Sequence, residues 1–170
     1  MKNTSLQTLC RVAALVAIQI VLERFCSFNT PLLRVGFGFI PLAVCGMLYG
    51  PVWAGAAGGL ADVLGTFLSP YGFYPPITHT AILLGVVFGL FLHRESPRFF
   101  PHIVLCTLVC CVGLSLFLQS FWLCLLNHSP YPAMLAARLP QCGFNIAVYL
   151  AVLPLLQKLT RRVLNAARAN

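Results

Sequence analysis

Residues 103–126 read IVLCTLVCCVGLSLFLQSFWLCLL and carry no charge. A helix of that length rises about 36 Å, enough to cross the ~30 Å hydrocarbon core of a bilayer. A membrane-barrel strand uses only about ten residues and alternates polar with apolar ones, which this run does not do. The stretch reads as a membrane-spanning helix. Working outward, apolar runs at 6–21, 36–49, 52–68, 77–92 and 141–156 bring the spans to six. Between them lie polar or proline-rich connectors: 27–34, Gly50-Pro51, 69–76 (SPYGFYPP), 93–102 (HRESPRFFPH) and 127–132 (NHSPYP). Residues 133–138 are expected to form a short helical lead-in, and 158–170 a basic amphipathic tail. The second and third runs are short, so one of them is expected to be tilted, broken or partly re-entrant. Residues 1–170 thus form one all-α integral membrane domain of six transmembrane helices.

Composition agrees with this reading. Of 170 residues, 59% are hydrophobic and 8% charged, and the mean hydropathy is +0.89. Soluble domains carry about 25% charged residues, so an ordinary soluble globule is excluded, as is a disordered chain. The net charge of +8 sits mostly at the ends of apolar runs, without the interleaved basic and aromatic residues of a nucleic-acid surface. Nucleic acid is therefore not an expected partner; the lipid bilayer is. The eight cysteines lie almost all inside apolar runs and include no CxxC pair, so they read as small buried hydrophobes, with no metal site. The first run is followed by more apolar sequence, which favours an uncleaved first helix over a signal peptide.

Positive residues set the expected orientation. With the N-terminus inside, the inner face holds Lys2, Arg11, Arg94, Arg98, Lys158, Arg161, Arg162 and Arg168, and the outer face only Arg24, Arg34 and Arg138. Both termini are then cytoplasmic. The three outer arginines run against the inside-positive trend. They share their face with the loops SFNTPLLR, SPYGFYPP and NHSPYP, which predicts a cationic, aromatic patch at the outer mouth of the bundle.

Asp62 is the one acid inside a span. A carboxylate at mid-membrane costs at least ~2.5–3.5 kcal/mol, so it should face the bundle interior and be partnered. Gly55, Gly58, Gly59 and Thr66 share its helix face. The glycines leave room for a flat ring or a neighbouring helix. Asp62 is either an acceptor for the N–H donors of a heterocyclic ligand or the partner of Arg24 or Arg34. Trp122, beside Gln119 and Phe121, is either an interfacial belt residue or a stacking wall. His79 and His128 read as ordinary hydrogen-bonding residues. Small residues recur four apart at Ala13/Ala17, Gly46/Gly50, Gly55/Gly59 and Gly85/Gly89. Packing within the bundle accounts for most such pairs, and Ala13/Ala17 on the first helix is the best candidate for docking a partner protein. The GAAGG of the third span lacks the Lys-Ser/Thr of a phosphate-binding loop, so no ATP site is expected. No GxSxG, HExxH or paired carboxylates occur, and no enzyme activity is expected.

Residues 34–62, RVGFGFIPLAVCGMLYGPVWAGAAGGLAD, resemble the signature of the substrate-binding (S) components of energy-coupling factor (ECF) transporters, in particular the folate-specific S components. The shared pattern is a basic residue, a Gly-Phe-Gly-Phe-Ile-Pro run, Gly-Pro-Val and a closing Ala-Asp. Residues 69–92, SPYGFYPPITHTAILLGVVFGLFL, resemble the family's third loop and fourth helix. The likeness is weaker around Phe121-Trp122-Leu123 and Arg138. Two positions depart from the pattern: Ser120 stands where asparagine is usual, and Gln141 where lysine is frequent.

The resemblance implies a six-helix protein of the bacterial cell membrane that binds folate or a reduced folate at its outer face. It implies delivery inward with a transmembrane T component and two cytoplasmic ATPases, and no cofactor. If folate is the ligand, Asp62 would take the pterin's N–H donors. Tyr71, Phe73, Tyr74 and Trp122 would wall the rings, and Arg34, Arg138 and, more weakly, Arg24 would pair with the ligand's carboxylates. Ala13/Ala17 would match the family's docking motif. An S component for another aromatic or anionic vitamin, a small lipid-directed membrane enzyme and a stand-alone secondary transporter are the competing readings. The enzyme would need an acid/His cluster at the inner face, where Glu95 is the one acid the sequence offers.

Overall fold

The computed structural model describes the backbone of residues 2–25, 28–29, 34–67, 75–93, 99–127 and 131–169. Side chains are described for 6–23, 36–67, 75–93, 101–125, 131–132, 134–136, 138–160 and 162. The helices are α1 (Lys2–Phe25), α2 (Phe39–Tyr49), α3 (Pro51–Phe67), α4 (Pro75–Leu92), α5 (Phe99–Leu108), α6 (Gln119–Asn127) and α7 (Tyr131–Ala169). A π-helical segment, Val109–Leu118, joins α5 to α6 without a break, so the described residues make six helical rods. The expected connector at 27–34 contains two-residue strands, β1 (Phe28–Asn29) and β2 (Arg34–Val35), paired antiparallel. The all-α, six-rod architecture is the one expected.

Among the described residues four rods are long and apolar enough to cross a membrane: Leu6–Glu23, Pro75–Leu92, Pro101–Leu125 and Met134–Thr160. At 1.5 Å per residue, α2 is about 16 Å long and α3 about 26 Å, both short of the hydrocarbon thickness, as the short runs predict. Between them Gly50 adopts φ 86° and donates its N–H to the Gly46 carbonyl at 3.1 Å. Glycine suits that left-handed turn because it carries no Cβ. Pro51 and Pro75 open α3 and α4, where a missing N–H costs nothing.

One expectation is corrected. The lead-in at 133–138, the span at 141–156 and the tail are a single 39-residue helix that runs through Pro140 and Pro154. Prolines break helices in water, but inside a membrane bundle neighbouring groups can satisfy the freed carbonyls and the helix continues.

The core gathers Leu42, Ala43 and Cys45 of α2, Ala54, Ala57 and Ala61 of α3, Phe88 of α4, Ile103, Cys106 and Cys110 of the fifth rod, and Leu153 of α7. Tyr149 stacks at 4.2 Å on Phe39. α1 lies at the edge, and of its described residues Val12, Val16 and Gln19 are buried. Three small-residue pairs serve internal packing. A Cβ on Gly46 would lie 2.9 Å from the Gly89 nitrogen, one on Gly55 2.8 Å from Val86, and one on Gly59 2.8 Å from Ile82. On Gly85 or Gly89 it would run into the backbone of Ala54 or Pro51. Ala13 and Ala17, by contrast, are exposed. Five of the described cysteines are buried, Cys124 is half-buried, and Cys10 departs from expectation by being exposed.

Candidate ligand-binding site

At the end of the bundle where α1 and α3 finish and α2, α4 and α7 begin, a cavity of about 270 Å³ opens between the rods. Every rod contributes to its wall. Gln19 and Glu23 come from α1, Gly38, Phe39 and Leu42 from the start of α2, and Gly58 and Asp62 from α3. Ile77, Thr80, Ala81 and Leu84 line it from α4. Leu114, Ser115, Gln119 and Leu123 come from the fifth rod, and Arg138, Gln141, Asn145 and Tyr149 from α7. The size is near the lower end of small-molecule sites, and apolar faces with a few converging polar groups are the usual make-up of such sites.

Asp62 is half-buried, and its Oδ2 accepts a hydrogen bond from the Thr78 hydroxyl at 2.7 Å. The glycines on its helix face admit α4: a Cβ on Gly58 would lie 2.6 Å from the Ala81 carbonyl. Of the two expected uses of that face, close helix contact is the one realised, and Gly58 also borders the cavity. On the opposite wall the Arg138 guanidinium donates through Nη1 to the Ser120 hydroxyl at 3.3 Å and to the Ser115 carbonyl at 3.5 Å. Both acceptors belong to the fifth rod, where Gln119 N–H closes a π-type bond to Leu114, five residues back.

The structure brings Asp62 and Arg138 to one cavity. Trp122 sits beside it: the wall is formed by Gln119 and Leu123, while the indole packs edge-on against Phe121 at 5.3 Å, with a buried and unpartnered Nε1. Arg34 is placed by its backbone in β2, opposite Asn29, and Arg24 near the end of α1. The side chains of both, and residues Tyr71, Phe73, Tyr74 and His128, lie outside the described residues. His79 is exposed.

Several wall residues were not singled out from sequence as ligand contacts. Gln19 and Glu23 stand four apart on α1, and on α7 Gln141, Asn145 and Tyr149 follow the expected Arg138 at spacings of three, four and four. Polar groups at helical spacing within apolar runs mark one face, and that signal was available. Both departures from the family pattern fall here, with Gln141 in the wall and Ser120 bound to Arg138. The described wall thus carries two carboxylates, Glu23 and Asp62, and one guanidinium, with amides between them. Among the described residues no group of His, Cys, Asp and Glu is arranged to hold a metal ion.

Known proteins share this architecture. Residues 7–157 match the family model "ECF transporter, substrate-specific component". The chain is 31% identical over 143 residues to the folate transporter FolT of Clostridium novyi, covering 84% of this chain and 83% of that one. It is 28% identical to FolT of Leuconostoc mesenteroides, covering 81% and 76%. Among solved structures, FolT bound with folic acid superposes with a TM-score of 0.82 at 28% identity over 89% of this chain and 93% of that one. The S component for biotin superposes at 0.75 with 14% identity, covering 95% and 94%, a likeness of fold alone. With its six rods, its end-on cavity and a family match over most of its length, the chain belongs to the substrate-specific (S) components of ECF transporters.

Proposed function

We propose that this S component captures folate or a reduced folate at the outer face of the bacterial cell membrane and passes it inward with a T component and two ATPases. The observation that carries the reading is the polarity of the cavity. It agrees with the likeness to FolT bound with folic acid. A folate has a pterin rich in N–H donors at one end and a dianionic glutamate at the other. Asp62 meets the first need and Arg138 the second, with Arg34 and Arg24 as further partners for carboxylate. Tyr71, Phe73, Tyr74 and Trp122 supply ring surface. Both termini are cytoplasmic in this reading, which puts the cavity at the outer end. Energy comes from the partners, because the chain has no phosphate-binding loop of its own. The exposed Ala13/Ala17 face is the docking surface for the T component.

Calorimetry on the purified, detergent-solubilised chain tests the ligand. Folate and 5-formyl-tetrahydrofolate should bind below micromolar, and riboflavin and thiamine should not; absence of folate binding overturns the proposal. Asp62→Asn should lower folate affinity by about tenfold or more with the fold retained, since it removes a charge-assisted acceptor. Ala13→Trp should bind folate as the parent does and abolish uptake in cells supplying the partners. Undiminished uptake by that variant would remove the docking role.

A further inference from the structure

Asp62 can serve a ligand only if its carboxylate is held at a fixed angle. Rotation of the aspartate carboxyl about χ2 is broad and only loosely restrained. We infer that Thr78 is the positioning residue that sets this angle and thereby selects for ligands presenting two neighbouring N–H donors. The inference rests on the folate reading of the cavity.

Thr78 is 8% exposed and lies behind Asp62: Ile77, Thr80 and Ala81 of the same helix line the cavity, and Thr78 does not. Its hydroxyl donates to Asp62 Oδ2 at 2.7 Å, a short bond between helices. Two features keep that bond in place. Threonine is branched at Cβ, which limits its χ1 freedom. The helices that carry the two residues are in backbone contact at Gly58 and Ala81. The other hydroxyls of these two helices, on Thr80 and Thr66, bond within their own helices, to the Pro76 carbonyl at 3.3 Å and the Val63 carbonyl at 2.7 Å, and cannot take this role at the same time.

An ionised carboxylate offers about four acceptor sites. The Thr78 bond occupies one on Oδ2. It leaves Oδ1 and the second site of Oδ2, which together match two parallel N–H groups such as N3–H and the 2-amino group of a pterin. Without the hydroxyl the carboxylate plane is free to swing and the paired acceptors lose their common direction.

The test is a calorimetric series with three probes: folate, pteroic acid (no glutamate) and 2-desamino-2-methyl folate (no 2-amino donors). Thr78→Val should weaken folate and pteroic acid by the same factor, about tenfold for a hydrogen bond to a charged group. It should change binding of the desamino probe by less than about twofold, and Thr78→Ser should restore folate affinity. In an Asp62→Asn background Thr78→Val should add almost nothing, because the two residues act as one unit. If Thr78→Val does not purify folded, Thr78→Ala carries the same comparison. Equal weakening of all three probes would mean a merely structural role and overturns the inference, as does parental folate affinity in the valine variant. Absence of folate binding by the parent itself overturns the folate reading and this inference with it.

Discussion

The two halves of the bundle are built by different rules. In α1–α4 glycines let backbones touch. Gly46, Gly58, Gly85 and Gly89 each lie where a Cβ would meet a neighbouring backbone atom at 3 Å or less. In the second half Gly113 of the π-helical segment and Gly143 of α7 have nothing within 4 Å of such a Cβ. Few described residues of α7 are buried, namely Cys142, Leu153, Gln157 and Thr160. The cavity lies between the halves. Its acceptor, Asp62, is mounted on the tightly packed half. The cation of its described wall, Arg138, is mounted on the open one and tied to the π-helical rod by two longer hydrogen bonds. If Asp62 and Arg138 have the ligand roles proposed above, rigidity is spent on the group that would read an N–H pattern, and less on the group that would only meet a charge.

Gly89→Val should have the largest effect on the tightly packed half. Three carbons would have to enter space held by the Pro51 backbone, and backbone cannot yield as a side-chain tip can. Overpacking of this kind costs about 3 kcal/mol or more. The variant should lose most of its folded yield in detergent or melt far below the parent. A parental melting curve would show that α3 and α4 slide freely and that Asp62 has no rigid mount. Next in size is Arg138→Ala, which should weaken folate by about a hundredfold, as expected for a charge-assisted pair. Pteroic acid, lacking the glutamate, should be weakened far less, and melting should shift little because α7 is loosely packed. Equal losses for both ligands would place Arg138 at the pterin and reverse the assignment of the two walls.

Much of this arrangement was legible in the sequence, for reasons specific to each residue. Asp62 stood out because a lone acid in an apolar run is costly unless it is used, and Arg138 because it opposed the charge trend across the membrane. The glycine pairs of α3 and α4 read correctly because lipid offers no other reason to repeat small residues at one-turn spacing. Trp122 was harder. Its azimuth depends on the winding of residues 109–118, and a π-helical turn places the following helix about 20° per residue away from where α-winding would. Nothing in VCCVGLSLFL announces that winding, so a side chain expected in the wall stands next to it. Thr78 was silent because its partner is sixteen residues away across a loop. Glu23 falls just past the first apolar run and looks like its boundary, yet Gln19 one turn earlier marks the same polar face.

The smallest predicted effect tests the open half. Gly113→Ala and Gly143→Ala add a methyl that meets nothing, at positions exposed on their helices. Alanine also loses less backbone freedom on folding, by roughly 0.5–1 kcal/mol in a helix interior. Both variants should therefore bind folate as the parent does and melt at the same temperature or a few degrees higher. Gly143→Ala serves as the control, because α7 is α-helical there. A drop in melting temperature or affinity for Gly113→Ala alone would have one physical source, the winding of the π-helical segment. Alanine would then favour α-winding, turn Gln119 and Leu123 away from the cavity and loosen the carbonyl of Ser115 from Arg138. The open half would in that case be held as tightly as the glycine-packed half, by hydrogen-bond register instead of backbone contact.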